Sequence, residues 1–159
     1  MKFIFLDIDG VLNNVNTKEK APSGNTGIED SLIKKLADII ACTNARIILT
    51  SDWKIGWNID DSLCSEDARY LNTKLKKYNL EIYGKTYDTL VYDPYYEDRG
   101  KGIHKYLNDV RDVESYVVLD DNTFTDFDEE IKKHLVLIDY KQGLSDEDVE
   151  SAIRLLNNK

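Results

Sequence analysis

Cysteine is scarce in this chain. Only Cys42 and Cys64 are present, in no CxxC pair and beside no histidine cluster. That argues against both a disulfide framework and a zinc centre, and two such thiols suit a reducing compartment. Basic charge is also short: 21 Lys and Arg against 30 Asp and Glu leave a net charge of -9, with a pI near 4.7. An extended basic face for nucleic acid is not expected from that balance. A locally positive pocket is still allowed, and acidity near a site attracts divalent cations. Long hydrophobic runs are missing as well. The apolar stretch that opens the chain stops at Asp7, too soon for a signal-peptide core, and no small-residue cleavage site follows. Nothing approaches the roughly 18 apolar residues of a membrane span. A cytoplasmic protein without a membrane partner is expected. The Gly-rich dinucleotide fingerprint is absent, and GKT at 84–86 is no phosphate loop, because Asn79 stands where that motif needs its first glycine.

What is present fits one domain, 1–159, with a substantial core: 159 residues, 42% hydrophobic and 32% charged. Short apolar runs at 2–7, 45–50 (ARIILT), 115–121 (SYVVLDD) and 134–139 (HLVLID) read as buried strands. Helical patterns follow at 28–40, 65–78, 100–110 and 145–158, the first preceded by Thr26 and Glu29 at capping-box spacing. Residues 10–27 read as a polar loop or flap, and 80–92 as a β-rich stretch that suits a hairpin turning at Gly84. Strands alternating with helices predict an α/β, Rossmann-like three-layer sandwich with a mainly parallel sheet. In such folds the working site lies beyond the carboxyl ends of the strands.

Those ends carry the chemistry. The first strand runs into DIDGV (7–11), the second into LTSD (49–52), the third into LDD (119–121), and RGKG (99–102) opens a helix. Buried carboxylates are costly unless paired, hydrogen-bonded or metal-bound, so acids at the end of the most apolar strand ask for a reason. In order and spacing these motifs resemble the haloacid dehalogenase (HAD) superfamily of phosphohydrolases over the whole chain. DxDG after an apolar strand is a fairly specific signal; the Thr, Lys and paired Asp gain weight only in combination.

Asp7 is the candidate nucleophile, since a carboxylate can attack phosphorus and split hydrolysis into two steps. Asp9, two residues on and on the same face if the strand continues, could protonate the leaving oxygen and then activate water. Asp120 could close a Mg2+ site with Asp7. The resemblance implies that Asp9 adds its backbone carbonyl to that metal and that Asp121 acts through water. Thr50, with Ser51 beside it, would hydrogen-bond the phosphoryl group. Lys101 would neutralise it and hold Asp7 ionised, with Arg99 as the alternative and Lys105 nearby. Each residue also has a plain structural reading. Asp-Gly suits a turn, Thr50 and Ser51 suit a cap, and Lys101 suits a solvated helix start. His104 reads as structural or exposed, Trp53 and Trp57 as core or rim packing ahead of substrate stacking, and YDPYYED (92–98) as a solvated loop.

The resemblance also bears on substrate choice. HAD enzymes select substrates largely through cap insertions. Residues 10–27 leave no room for a helical cap, and Asp52–Gly100 allows at most a small β excursion at 80–96. The site should therefore be open and little capped, which allows a polynucleotide end or another bulky phosphorylated substrate. The small uncapped HAD domains of RNA-repair proteins, with DIDGVLN and LTSDW-like stretches, are the nearest likeness. A nucleotidase or other small-molecule phosphatase is the alternative. A catalytically idle phosphate-binding module on the same fold is the alternative of another class.

Overall fold

The structure is a computed structural model that describes residues 1–87 and 98–158. Five strands, β1 (Lys2–Leu6), β2 (Arg46–Leu49), β3 (Ile82–Lys85), β4 (Ser115–Asp120) and β5 (Leu135–Leu137), form one sheet in the order β3-β2-β1-β4-β5. Every pairing is parallel. The strands are nearly continuous apolar runs because helices cover both faces. Helices α1 (Asp30–Thr43), α2 (Glu66–Lys76) and α5 (Asp146–Leu156) lie on one face, packed with Ile4, Leu6, Ile47, Leu49, Val117 and Leu119. Helix α3 (Arg99–Asp109) and the short α4 (Glu129–Lys133) lie on the other, with Phe3, Phe5, Ile48, Tyr116 and Val118. The layers and the parallel sheet are those the alternation of strands and helices predicts.

Register and alternation together position the site. Leu6 lies opposite Leu49 on one side and Leu119 on the other, so Asp7, Thr50 and Asp120 form the next row across the three central strands. Asp7 N–H donates to the Leu119 carbonyl and Thr50 N–H to the Leu6 carbonyl, which continues the ladder one step past the strand ends. Side chains alternate along a strand. Asp7 follows Phe3 and Phe5, Asp120 follows Tyr116 and Val118, and Thr50 follows Ile48, so all three belong to the α3 side of the sheet.

Two local expectations are corrected. Thr26 and Glu29 form no capping box: α1 starts at Asp30, and its N-cap Glu29 makes no side-chain cap bond. The intervening donors are used elsewhere, Gly27 N–H by Glu19 O, Ile28 N–H by Tyr70 Oη and Glu29 N–H by Leu12 O. Gly84 turns no hairpin. It lies inside β3 opposite Ile48, where a Cβ would meet the Tyr106 hydroxyl at 3.2 Å. Residues 88–96 of the 80–96 excursion, and all of YDPYYED except Asp98, lie outside the described residues.

Candidate active site

Asp7 and Asp120 are 6% and 0% exposed. One guanidinium nitrogen, Arg99 Nη1, sits 3.0 Å from both Asp7 Oδ1 and Asp120 Oδ2. The Arg99 guanidinium also lies over the Phe124 ring, 4.4 Å from its centroid. Arg99 is the first residue of α3, and the parity of the strands turns both carboxylates toward that helix. Gly100 permits the approach: a Cβ there would overlap the Asp126 carbonyl oxygen at 2.3 Å. The sequence candidate Lys101 is placed differently. Its side chain is exposed, and its backbone N–H donates to Asp126 Oδ2. Two residues along an α-helix amount to about 200°, so Arg99 and Lys101 cannot both face the strand ends.

Asp9 reaches the site by a turn, not by the strand. β1 stops at Leu6, and Val11 and Leu12 N–H both donate to Ile8 O. The same-face argument for Asp9 therefore lapses. Gly10 makes the turn possible with φ +82°, and a Cβ there would stand 2.3 Å from Asp121 Oδ2. The Asp9 carboxylate is exposed but held from both sides: Asn13 Nδ2 donates to Oδ1 at 2.9 Å and Trp53 Nε1 to Oδ2 at 3.2 Å. Asn13 is itself buried, its Oδ1 accepting from Gly10 N–H and its Nδ2 donating also to Gly27 O. Asn13 received no role from the sequence, and Trp53 was read there as packing. An Asn six residues past Asp7 carries no signal until the turn folds it back.

The second motif divides its labour. The Thr50 hydroxyl is buried and has no hydrogen-bond partner among the described residues, an unusual state for a polar atom. Ser51 lines a cleft of about 380 Å³ together with Asp7, Asp9, Arg99, Asp121 and Asn122, and its Oγ caps the 3-10 turn Asp52–Gly56 by accepting from Trp53 N–H. His104 pairs with Asp128 at 2.8 Å, and Trp57 is buried with Nε1 donating to Asn72.

One carboxylate oxygen each from Asp7, Asp120 and Asp121 lies within 4.8 Å of the others. Burial pushes the Asp7 carboxyl well above its usual value, and the Asp120 charge adds to this against the pull of Arg99. Burial likewise lifts Asp120 to about 6, despite Arg99. Hard oxygen donors crowded beyond what one arginine compensates suit a divalent cation of the Mg2+ type.

A parallel α/β domain with such an acidic cluster at its strand ends belongs to the class of HAD-like domains. The chain is a member of the family described as the HAD domain in Swiss Army Knife RNA repair proteins, whose family model matches residues 3–149. No curated protein and no solved structure matches it. The family points to phosphohydrolase activity. No described helix is long and apolar enough to cross a membrane.

Proposed function

We propose that the protein is a Mg2+-dependent phosphomonoester hydrolase that works through an aspartyl-phosphate on Asp7, with polynucleotide ends or other bulky phosphorylated groups as substrates. The observation that carries this reading is the buried Asp7–Arg99–Asp120 arrangement at the strand ends. The Thr50 hydroxyl, next to Asp7 in the row and without a partner among the described residues, supports it. Asp7 attacks phosphorus as the bond to the leaving oxygen breaks, and Asp9 gives that oxygen its proton. Asp9 then takes a proton from the water that attacks the aspartyl-phosphate, releasing inorganic phosphate and restoring Asp7. Asn13 and Trp53 hold Asp9 in one orientation, so little entropy is lost in aligning it. Thr50 and Ser51 donate to phosphoryl oxygens, and Arg99 takes the neutralising role first assigned to Lys101. Asp7, Asp120 and Asp121, with the Asp9 backbone carbonyl, would hold Mg2+, which when bound offsets phosphoryl charge.

The test is turnover of p-nitrophenyl phosphate with Mg2+ and with EDTA, in wild type and Asp7→Asn. Turnover is expected only with wild type and metal. Near wild-type kcat in a folded Asp7→Asn protein would refute the covalent route.

A further inference from the structure

A second cavity, also about 380 Å³, opens beside the phosphoryl cleft. Its walls are the 20–27 segment, the 3-10 turn Asp52–Gly56 and the start of α2, with Asn25, Thr26, Trp53, Ser65 and Asp67 facing it. It shares Asp9 and Asp52 with the phosphoryl cleft. Asp9 thus stands at the boundary between the two spaces.

We propose that this cavity receives the leaving group of the phosphoester, and that it takes a hydroxyl-bearing group with an aromatic base, a nucleoside, in preference to one carrying a second phosphomonoester. The inference rests on the hydrolase reading. An acid that protonates the leaving oxygen must sit against that oxygen, so whatever the oxygen is attached to lies on the far side of Asp9 from Asp7. The second cavity is the space there. Its chemistry is mixed: one indole, an amide, two hydroxyls and three carboxylates. An indole offers a stacking surface for a base, worth ~1–3 kcal/mol. Trp53 is fixed for that purpose by its N–H bond to Asp9 and by the neighbouring Tyr70 ring at 6.5 Å.

The walls are tied together before any ligand arrives. Asp67 on α2 accepts from Ser23 N–H, Ser23 Oγ and Asn25 Nδ2. Tyr70 on the same helix donates its hydroxyl to Glu19 and accepts from Ile28 N–H. A preformed wall costs less to bind against.

Charge sets the selectivity. Asp9, Asp52 and Asp67 line the cavity with no Lys, Arg or His among its described lining residues, while Arg99 lines the phosphoryl side and pairs with Asp52 at the boundary, 3.9 Å away. A second phosphomonoester on the leaving group would bring nearly two negative charges against Asp9 and Asp67, where the diester of a strand end brings one.

The experiment has a binding arm and a turnover arm. Tryptophan emission of the Asp7→Asn protein is titrated with adenosine. Only Trp53 and Trp57 emit, and quenching is expected to survive Trp57→Phe and vanish in Trp53→Phe. Absence of quenching from Trp53 overturns the pocket, whether or not an ester is hydrolysed. In wild type, kcat/KM for adenosine 3′-monophosphate is expected to exceed that for adenosine 3′,5′-bisphosphate at least tenfold. Asn25→Lys should narrow that ratio at least threefold without changing inhibition by inorganic phosphate. A bisphosphate turned over as well as the monophosphate, or a ratio indifferent to Asn25→Lys, overturns the charge selection. Wild-type protein that binds adenosine and hydrolyses neither ester overturns the hydrolase reading alone.

Discussion

Asp120 is completely buried, carries a carboxyl raised to about 6, and still bonds to Arg99. Between its unfolded value near 3.9 and about 6, the folded chain holds a proton that the unfolded chain releases. Stability must therefore fall as pH rises through that window. The cost at neutral pH is up to about 3 kcal/mol. Asp120→Asn removes the charge and keeps an oxygen that can accept from Asn122 N–H. In EDTA the variant is expected to melt several degrees above wild type at pH 7.5, with the gap closing toward pH 4; a gap independent of pH would contradict the buried-charge account. Arg99 is the compensating cation: its Nη1 reaches both acids while the guanidinium plane lies over Phe124, and a lysine has a shorter reach and no plane to stack. Arg99→Lys should lower kcat/KM for p-nitrophenyl phosphate about tenfold or more, and the exposed Lys101→Ala should cost less than threefold. The acids were legible in the sequence because they end apolar runs. The cation was not: Arg99 and Lys101 flank one glycine, and only the rotation of α3 about its axis decides which faces the sheet.

At the level of elements, strands β1, β2, β4 and β5 and helices α1, α2, α3 and α5 were readable because each carries its own pattern and, for α2 and α5, an N-cap serine followed by acids; the β-rich stretch holding β3 was read with a hairpin turn that Gly84 does not make. Helix α4 has five residues, too few for a periodic pattern. The Thr26 cap failed because tertiary donors and acceptors outbid a local motif. Neither was the path of residues 8–13 legible, since a turn bonded through Ile8 O looks in sequence like a strand continuing. Its pivot is Gly10, at positive φ against Asp121. Gly10→Ala imposes both backbone strain and an overlap with that carboxylate, so a loss of about 1–3 kcal/mol is expected. Asp9 and Asp121 would shift with it. Denaturant unfolding in EDTA should show the stability loss, and isothermal titration should show Mg2+ bound more weakly. An alanine variant with wild-type stability and metal affinity would mean that the turn is not set by this glycine.

Over the whole molecule, net charge of -9 and an arginine held within its own carboxylate pair leave little to attract a phosphate chain at a distance. On the proposed function, a phosphorylated end would be recognised locally, at the strand ends and the Trp53 cavity, and not by tracking the strand. Salt separates these modes. A protein that neutralises several phosphates releases counterions, and log K falls with log[salt] at a slope near -0.7 per contact on single strands. Here the long-range term is repulsive, and added salt screens it. With free Mg2+ held constant, kcat/KM for a 3′-phosphorylated oligonucleotide is expected to stay level or rise between about 50 and 200 mM KCl, spanning Debye lengths of roughly 14 to 7 Å. For p-nitrophenyl phosphate, which has no neighbouring phosphates, it should change less. A steep fall for the oligonucleotide alone would show phosphate contacts well outside the cleft, and the local recognition argued from charge and from the two cavities would be wrong.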